Sequence, residues 1–251
     1  MKTAVILLVM SILIGLSLLL IQGGRSQKDE DGIAATPVGA EAHGSGRADA
    51  SVRAETDGGD SRSADLDSRK IALTFDDGPH PFYTEQLLDG LRERGVKATF
   101  FVTGEHASLH PDVIRRMQED GHLVGNHTYS HIQLRKDNRE EFKRELVQTN
   151  EVIREITGEE TMFVRPPYGS WDKSFEKELN MFPVLWTVDP LDWCSQNVSC
   201  VTGRIVGHVK ENDIILMHDY YESTVTAALQ VVDALQKEGY TFVTVDEILF
   251  D

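Results

Sequence analysis

From residue 70 onward the chain alternates short apolar runs with longer amphipathic ones, and this alternation restricts the fold more than any other feature. The apolar runs read as strands at 71–75 (IALTF), 98–102 (ATFFV), 122–126 (HLVGN), 162–164 (MFV), 183–187 (PVLWT), 213–217 (DIILM) and 241–243 (TFV). Between most of them lie stretches with helical spacing and helical punctuation. In TEQLLDGLRERG, Gly95 is placed as a C-terminal cap; in PDVIRRMQEDG, Pro111 stands in the first turn and Gly121 just past the last. NREEFKRELVQTNEVIREITG and TAALQVVDALQKEG read the same way. Strands alternating with helices require crossover connections, hence a mostly parallel sheet. Seven such units between residues 70 and 251 predict a small barrel.

The preceding residues differ in kind. From Thr3 to Ile21 the chain is apolar apart from Thr3, Ser11 and Ser17, and about 20 apolar residues suffice to span a bilayer. Residues 1–22 are therefore expected to be a signal peptide or an N-terminal membrane anchor, with the remainder exported. Residues 23–69 hold no Phe, Tyr or Trp and are dominated by Gly, Ala, Ser, Asp and Arg. Such a stretch buries too little apolar surface to offset its conformational entropy, so a disordered linker is expected there. Residues 70–251 are expected to form the folded domain in this division. The net charge of -16 argues against nucleic acid, whose phosphates need a basic footprint. Export would permit a disulfide between Cys194 and Cys200, closing the short loop CSQNVSC. A zinc site on that pair is disfavoured, since no second Cys or His pair stands near it.

Polar residues collect just past the strand ends. Asp76 and Asp77 follow the first strand, His127 and His131 the third, Arg165 and Tyr168 the fourth, Asp189, Asp192 and Trp193 the fifth, and His218 the sixth. In a parallel barrel these ends open on one face, where loops from different strands build the active site. TFDDGP sets two carboxylates side by side; adjacent residues of a strand point oppositely, so sharing a site needs a turn, which Gly78 and Pro79 supply. HTYSH places His127 and His131 four apart, close enough to meet on a helix or in a turn. With a carboxylate from the first strand they make a set of two histidines and one carboxylate, which leaves a position open for water as catalytic zinc sites do. Hydrolysis at such a centre also needs a base, oxyanion donors and an acid. One aspartate can be the base while the other binds metal. His218 can be the acid if a carboxylate such as Asp192 raises its proton affinity, Arg165 can pair with the base, and the RPPYG turn can present a backbone N–H.

TFDDGP, HTYSH, RPPYG, DPLDW and LMH, in this order, resemble the five motifs of the polysaccharide deacetylases, the NodB-homology family of carbohydrate esterases. The resemblance covers about Lys70 to Asp251. It implies a distorted (β/α)7 barrel and a divalent metal, zinc first, with cobalt or another ion as alternatives. Position by position it implies Asp76 as general base and Asp77, His127 and His131 as metal ligands. It further implies Arg165 as the partner of Asp76 and the Tyr168 N–H as oxyanion donor. His218 becomes the general acid tuned by Asp192, with Trp193 and Leu216 lining the pocket for the acetyl methyl. The activity implied is removal of N-acetyl groups from an extracellular polysaccharide, peptidoglycan first. Chitin oligosaccharides, acetylxylan and non-glycan amides stand as alternative substrates. A non-catalytic glycan-binding module would have no use for ligands, base and acid together.

Overall fold

Strands joined through helices run parallel, and every strand pairing here is parallel. The computed structural model describes residues 69–250, which fall in the second of the two units, 1–60 and 61–251, into which the chain divides. The signal or anchor expected at 1–22 and the linker expected up to residue 68 lie outside the described residues. Among the described residues no helix is long and apolar enough to cross a membrane.

The sheet is centred on β1 (Arg69–Asp76) and β2 (Thr99–Val102), with β3 (Leu123–Asn126), β4 (Phe163–Val164) and β5 (Phe182–Pro183) on one side and β6 (Ile214–His218) on the other. β7 (Tyr240–Val243) pairs with Arg69–Ala72, the lower half of β1, below the point where β2 takes up that strand at Thr74. The chain beyond β5 closes the ring. Val188 bridges Ile215 of β6, with the Thr187 N–H donating to Ile214 O and the Leu216 N–H to Val188 O, both at 2.9 Å. The expected barrel is therefore present and distorted.

Period-2 alternation along the strands separates two faces. Ile71, Leu73 and Phe75 of β1, Phe100 and Val102 of β2, and Ile215 and Met217 of β6 join one buried cluster with apolar residues of the helices. That cluster takes Leu87, Leu88 and Leu91 from α1 (Tyr83–Glu93), Ile114 and Met117 from α3 (Pro111–Glu119) and Val231, Val232 and Leu235 from α7 (Glu222–Lys237). The residues in the other phase, Ala72, Phe101, Phe163 and Ile214, form a smaller cluster with Val184 and Val245. Asp76 is in phase with Ala72 and Thr74, and His218 with Ile214 and Leu216, so these side chains belong to the interior face at its C-terminal end. A third cluster packs Phe142 and Leu146 of α4 (Arg139–Thr157) on Val164 and on Phe175 of α5 (Ser174–Leu179).

Gly95 and Gly121 have φ of 64° and 80°, the left-handed geometry that their reading as helix caps requires. Four short helices lie outside the helical stretches read above: α2 (Gly104–Leu109), α5, α6 (Val198–Val206) and α8 (Val245–Leu249), the last marked in the sequence only by the capping box of Thr244 and Glu247. The strand expected at 183–187 shrinks to Phe182–Pro183. The carbonyls of Val184 and Leu185 accept from the Arg165 guanidinium instead of a neighbouring strand. The disulfide expected between Cys194 and Cys200 is absent, and both thiols are free. Each cysteine is held by a local bond of its own. Cys194 Sγ donates to Leu191 O within a turn, whereas Cys200 sits in the first turn of α6, its N–H capped by Asn197 Oδ1 at 3.0 Å.

Candidate active site

Strand phase alone would send Asp77 to the helix side of the barrel, away from Asp76. Asp77 instead takes φ 74°, and the turn swings its carboxylate back toward the barrel mouth. Its Oδ1 lies 3.4 Å from His127 Nε2 and 3.4 Å from His131 Nε2. The His127 Nδ1–H donates to Arg165 O at 2.6 Å, which fixes the tautomer and leaves the Nε2 lone pair available to a ligand. Thr128 and His131 also have positive φ, 63° and 58°, so the HTYSH segment is a tight turn, not a helix.

Asp77, His127 and His131 offer ligand atoms that all lie within 4.8 Å of one another, a set able to hold a metal ion. Asp77 Oδ1 is buried and has no hydrogen-bond partner, a cost that a cation would remove. The donor set of two imidazoles and one carboxylate suits zinc or a similar divalent ion. Burial works to raise the Asp77 pKa, but His127, with His218 and His131, outweighs it and holds the carboxyl at about 2. Burial also keeps the His131 pKa low, helped by His127, which favours the neutral, ligating form. At His127 burial is outweighed by Asp76 and Asp77, which push its pKa up; the same carboxylates would attract a cation in place of that proton.

Asp76 is 3% exposed and Arg165 fully buried. Arg165 Nη1 donates to Asp76 Oδ1 at 2.8 Å and to Thr74 Oγ1 at 2.6 Å, Nε donates to Val184 O, and the guanidinium carbon lies 4.3 Å from the Phe101 ring centroid. With Oδ1 so engaged, Asp76 Oδ2 is left on the side of the triad, 3.8 Å from His127 Nε2.

Across the cleft, His218 Nδ1 bonds to Asp192 Oδ1 at 3.0 Å, and Asp192 Oδ2 accepts from the His218 N–H and the Thr224 hydroxyl. Burial lowers the His218 pKa, yet the Asp192 bond and charge, with Asp76 and Asp77, push it up to about 9. The imidazole thus carries a proton at neutral pH with Nε2 turned to the cleft.

The cavity between these groups, about 350 Å³, is lined by Asp76, Asp77, His127, His131, His218 and Leu216, with Tyr168, Trp186, Asp189 and Trp193 around them. Leu216 is buried, whereas Trp193 and Tyr168 stand exposed at the rim. Pro166 and Pro167 have no N–H, so Tyr168, at φ 59°, offers the first backbone donor after Arg165. Sequence reading missed three residues here. Trp186 was hidden inside an apparent strand. Asp219 was overshadowed by its neighbour His218, and its full burial and the bond it accepts from the Thr84 hydroxyl are visible only in the structure. His106, which reaches Asp77 O, carried no local mark at all.

The polysaccharide deacetylase family model matches residues 63–184, a span that includes Asp76, Asp77, His127, His131, Arg165 and Tyr168 and stops short of Asp192 and His218. The peptidoglycan-N-acetylglucosamine deacetylase of Bacillus cereus is 35% identical over 189 residues, 72% of this chain and 69% of its own length. The peptidoglycan-N-acetylmuramic acid deacetylase of Bacillus subtilis is 36% identical over 186 residues, and this chain spans 40% of its length. A solved structure of a peptidoglycan deacetylase from Bacillus subtilis matches with a TM-score of 0.71 at 36% identity, covering 74% of this chain and 92% of that one. With the barrel, the clustered triad and these likenesses in agreement, the chain belongs to the polysaccharide deacetylase family of hydrolases.

Proposed function

We propose that the protein hydrolyses N-acetyl groups of amino sugars in the peptidoglycan of a bacterial cell envelope. One observation carries this reading: two proton-handling pairs, Asp76–Arg165 and His218–Asp192, face one cleft beside a cation-binding triad. The substrate is suggested by the relatives, which act on peptidoglycan, and action outside the cytoplasm fits the export signal or membrane anchor expected at 1–22.

Asp77, His127 and His131 would hold a divalent cation, zinc in this reading, which when bound supplies Lewis-acid chemistry that acidifies water and draws charge from an acyl oxygen. Asp76 Oδ2 takes a proton from the attacking water, and Arg165 holds the other oxygen so that the carboxylate cannot turn away. The new C–O bond forms at the acetyl carbon, and the Tyr168 N–H donates to the oxyanion that results. His218 Nε2 passes its proton to the sugar nitrogen as the C–N bond breaks, releasing acetate and a free amino sugar. Asp192 steadies the imidazolium before transfer and orients the ring throughout. Leu216 and Trp193, both lining the cleft, flank the acetyl methyl.

The test is acetate release from peptidoglycan fragments, N-acetylglucosamine oligomers and acetylxylan measured side by side. Release fastest from peptidoglycan supports the reading; faster release from acetylxylan would replace it with an O-deacetylase.

A further inference from the structure

We propose that His106 is a positioning residue that registers the Asp77 turn against the His127–His131 turn and thereby sets cation affinity. The inference rests on the ligand assignment above. Asp77, Thr128 and His131 all occupy left-handed backbone at φ 74°, 63° and 58°. Such conformations are strained for a residue that carries a side chain and persist only where surrounding contacts hold them. Here the contacts converge on one short element. α2 donates its first N–H groups to the histidine turn, Gly104 N–H to Thr128 O and Glu105 N–H to Tyr129 O, both at 3.0 Å. The next residue, His106, reaches the other way. Its Nδ1 lies 2.7 Å from Asp77 O, and since a carbonyl can only accept, Nδ1 carries the proton. The Thr103 N–H adds a bond to Gly78 O at 3.1 Å. Four consecutive residues, 103–106, therefore tie together both segments that supply the ligands, and His106 contributes the shorter of two side-chain links to Asp77 O, the other being the Thr103 hydroxyl at 3.5 Å. Its ring is steadied from behind by Tyr220, stacked at 5.6 Å and 29°.

A carboxylate oxygen must fall within a few tenths of an ångström of its place to share a cation with two imidazoles. Loss of the 2.7 Å bond leaves Asp77 O with only the 3.5 Å contact from the Thr103 hydroxyl, so the turn relaxes from its strained φ and carries Oδ1 with it. Groups that orient ligands in this way are typically worth about 10–100-fold in metal affinity.

The experiment measures zinc and cobalt affinity by competition with a chelating dye, together with thermal melting without added cation. The proteins compared are the wild type, His106→Phe, His106→Asn, Asp77→Ala and Leu109→Ala. His106→Phe keeps a ring against Tyr220 but has no donor, and is expected to bind about 10-fold or more weakly with unchanged melting. His106→Asn places an amide N–H where Nδ1 stood and is expected to recover most of the affinity. Leu109→Ala, on the exposed side of α2, is expected to match the wild type. Wild-type affinity in His106→Phe, or equal loss in His106→Asn, overturns the positioning role. Wild-type affinity in Asp77→Ala overturns the ligand assignment itself, an outcome distinct from the first because there Asp77→Ala still loses the cation.

Discussion

Arg165→Met is expected to be among the most damaging single changes in the barrel, for a reason that a second substitution can expose. The guanidinium is fully buried, and its partner Asp76 is only 3% exposed. Removing it strands a carboxylate in the interior, which costs about 3–5 kcal/mol. The carbonyls of Val184 and Leu185 also lose their donor, at roughly 1 kcal/mol each. The sum is comparable to the whole stability of many domains, about 5–15 kcal/mol. If the stranded charge dominates, adding Asp76→Asn removes the cause, and the double variant should be more stable than Arg165→Met alone. Additive effects cannot produce that sign, because Asp76→Asn by itself leaves Arg165 without its counter-ion and should destabilise. Urea unfolding of the four proteins at neutral pH measures the cycle. Acetate release is lost in all three variants and so plays no part in the comparison. A double variant less stable than Arg165→Met would refute the buried-pair account and leave Arg165 as a packing residue.

Further expectations concern protons and thiols. The acid role proposed for His218 requires its protonated form. Without a cation, burial is outweighed by Asp192, with Asp76 and Asp77, and its pKa is pushed up to about 9; a cation on Asp77 would draw it lower, so turnover should fall on an alkaline limb at or below that value. Asp192→Asn should move that limb down by about 1–3 units, and a limb that stays put would remove Asp192 from the account. His122 is buried, its Nδ1 accepts from the Ala98 N–H, and burial, aided by Lys97, lowers its pKa from 6.5 to about 4. Because the folded value lies below the unfolded one, its neutral form is favoured by folding. Stability should be complete above pH 6.5 and decline by about 3 kcal/mol as pH falls to 4. His122→Asn, which keeps an acceptor and cannot charge, should flatten that part of the urea-stability profile; an unchanged slope would place the acid sensitivity elsewhere. Thiol titration of the denatured, unreduced protein should find both Cys194 and Cys200 reactive, and finding neither would contradict the free thiols of the structure.

Much of the barrel could be read from the sequence because its signals are local. The alternation that turns Leu73 and Phe75 toward the helices and Ala72, Thr74 and Asp76 inward is a property of neighbouring residues, as are the caps at Gly95 and Gly121. The grouping of acids, imidazoles and an arginine after the strands was legible for the same reason, since parallel strands deliver all their C-terminal ends to one face. What needed the tertiary structure was everything set by contacts between distant segments. Strand phase predicts that Asp76 and Asp77 diverge; the bond from His106, 29 residues away, belongs to the set of contacts that holds Asp77 in the turn where they converge. Trp186 reads as a strand residue until Arg165 takes the carbonyls of Val184 and Leu185 and the strand ends. Cys194 and Cys200 look paired by spacing, yet a turn and a helix cap direct them separately. Periodicity is encoded by residues a few positions apart, so it survives in the sequence alone. Left-handed turns and ligand distances depend on which remote donors meet which carbonyls, and packing alone decides that.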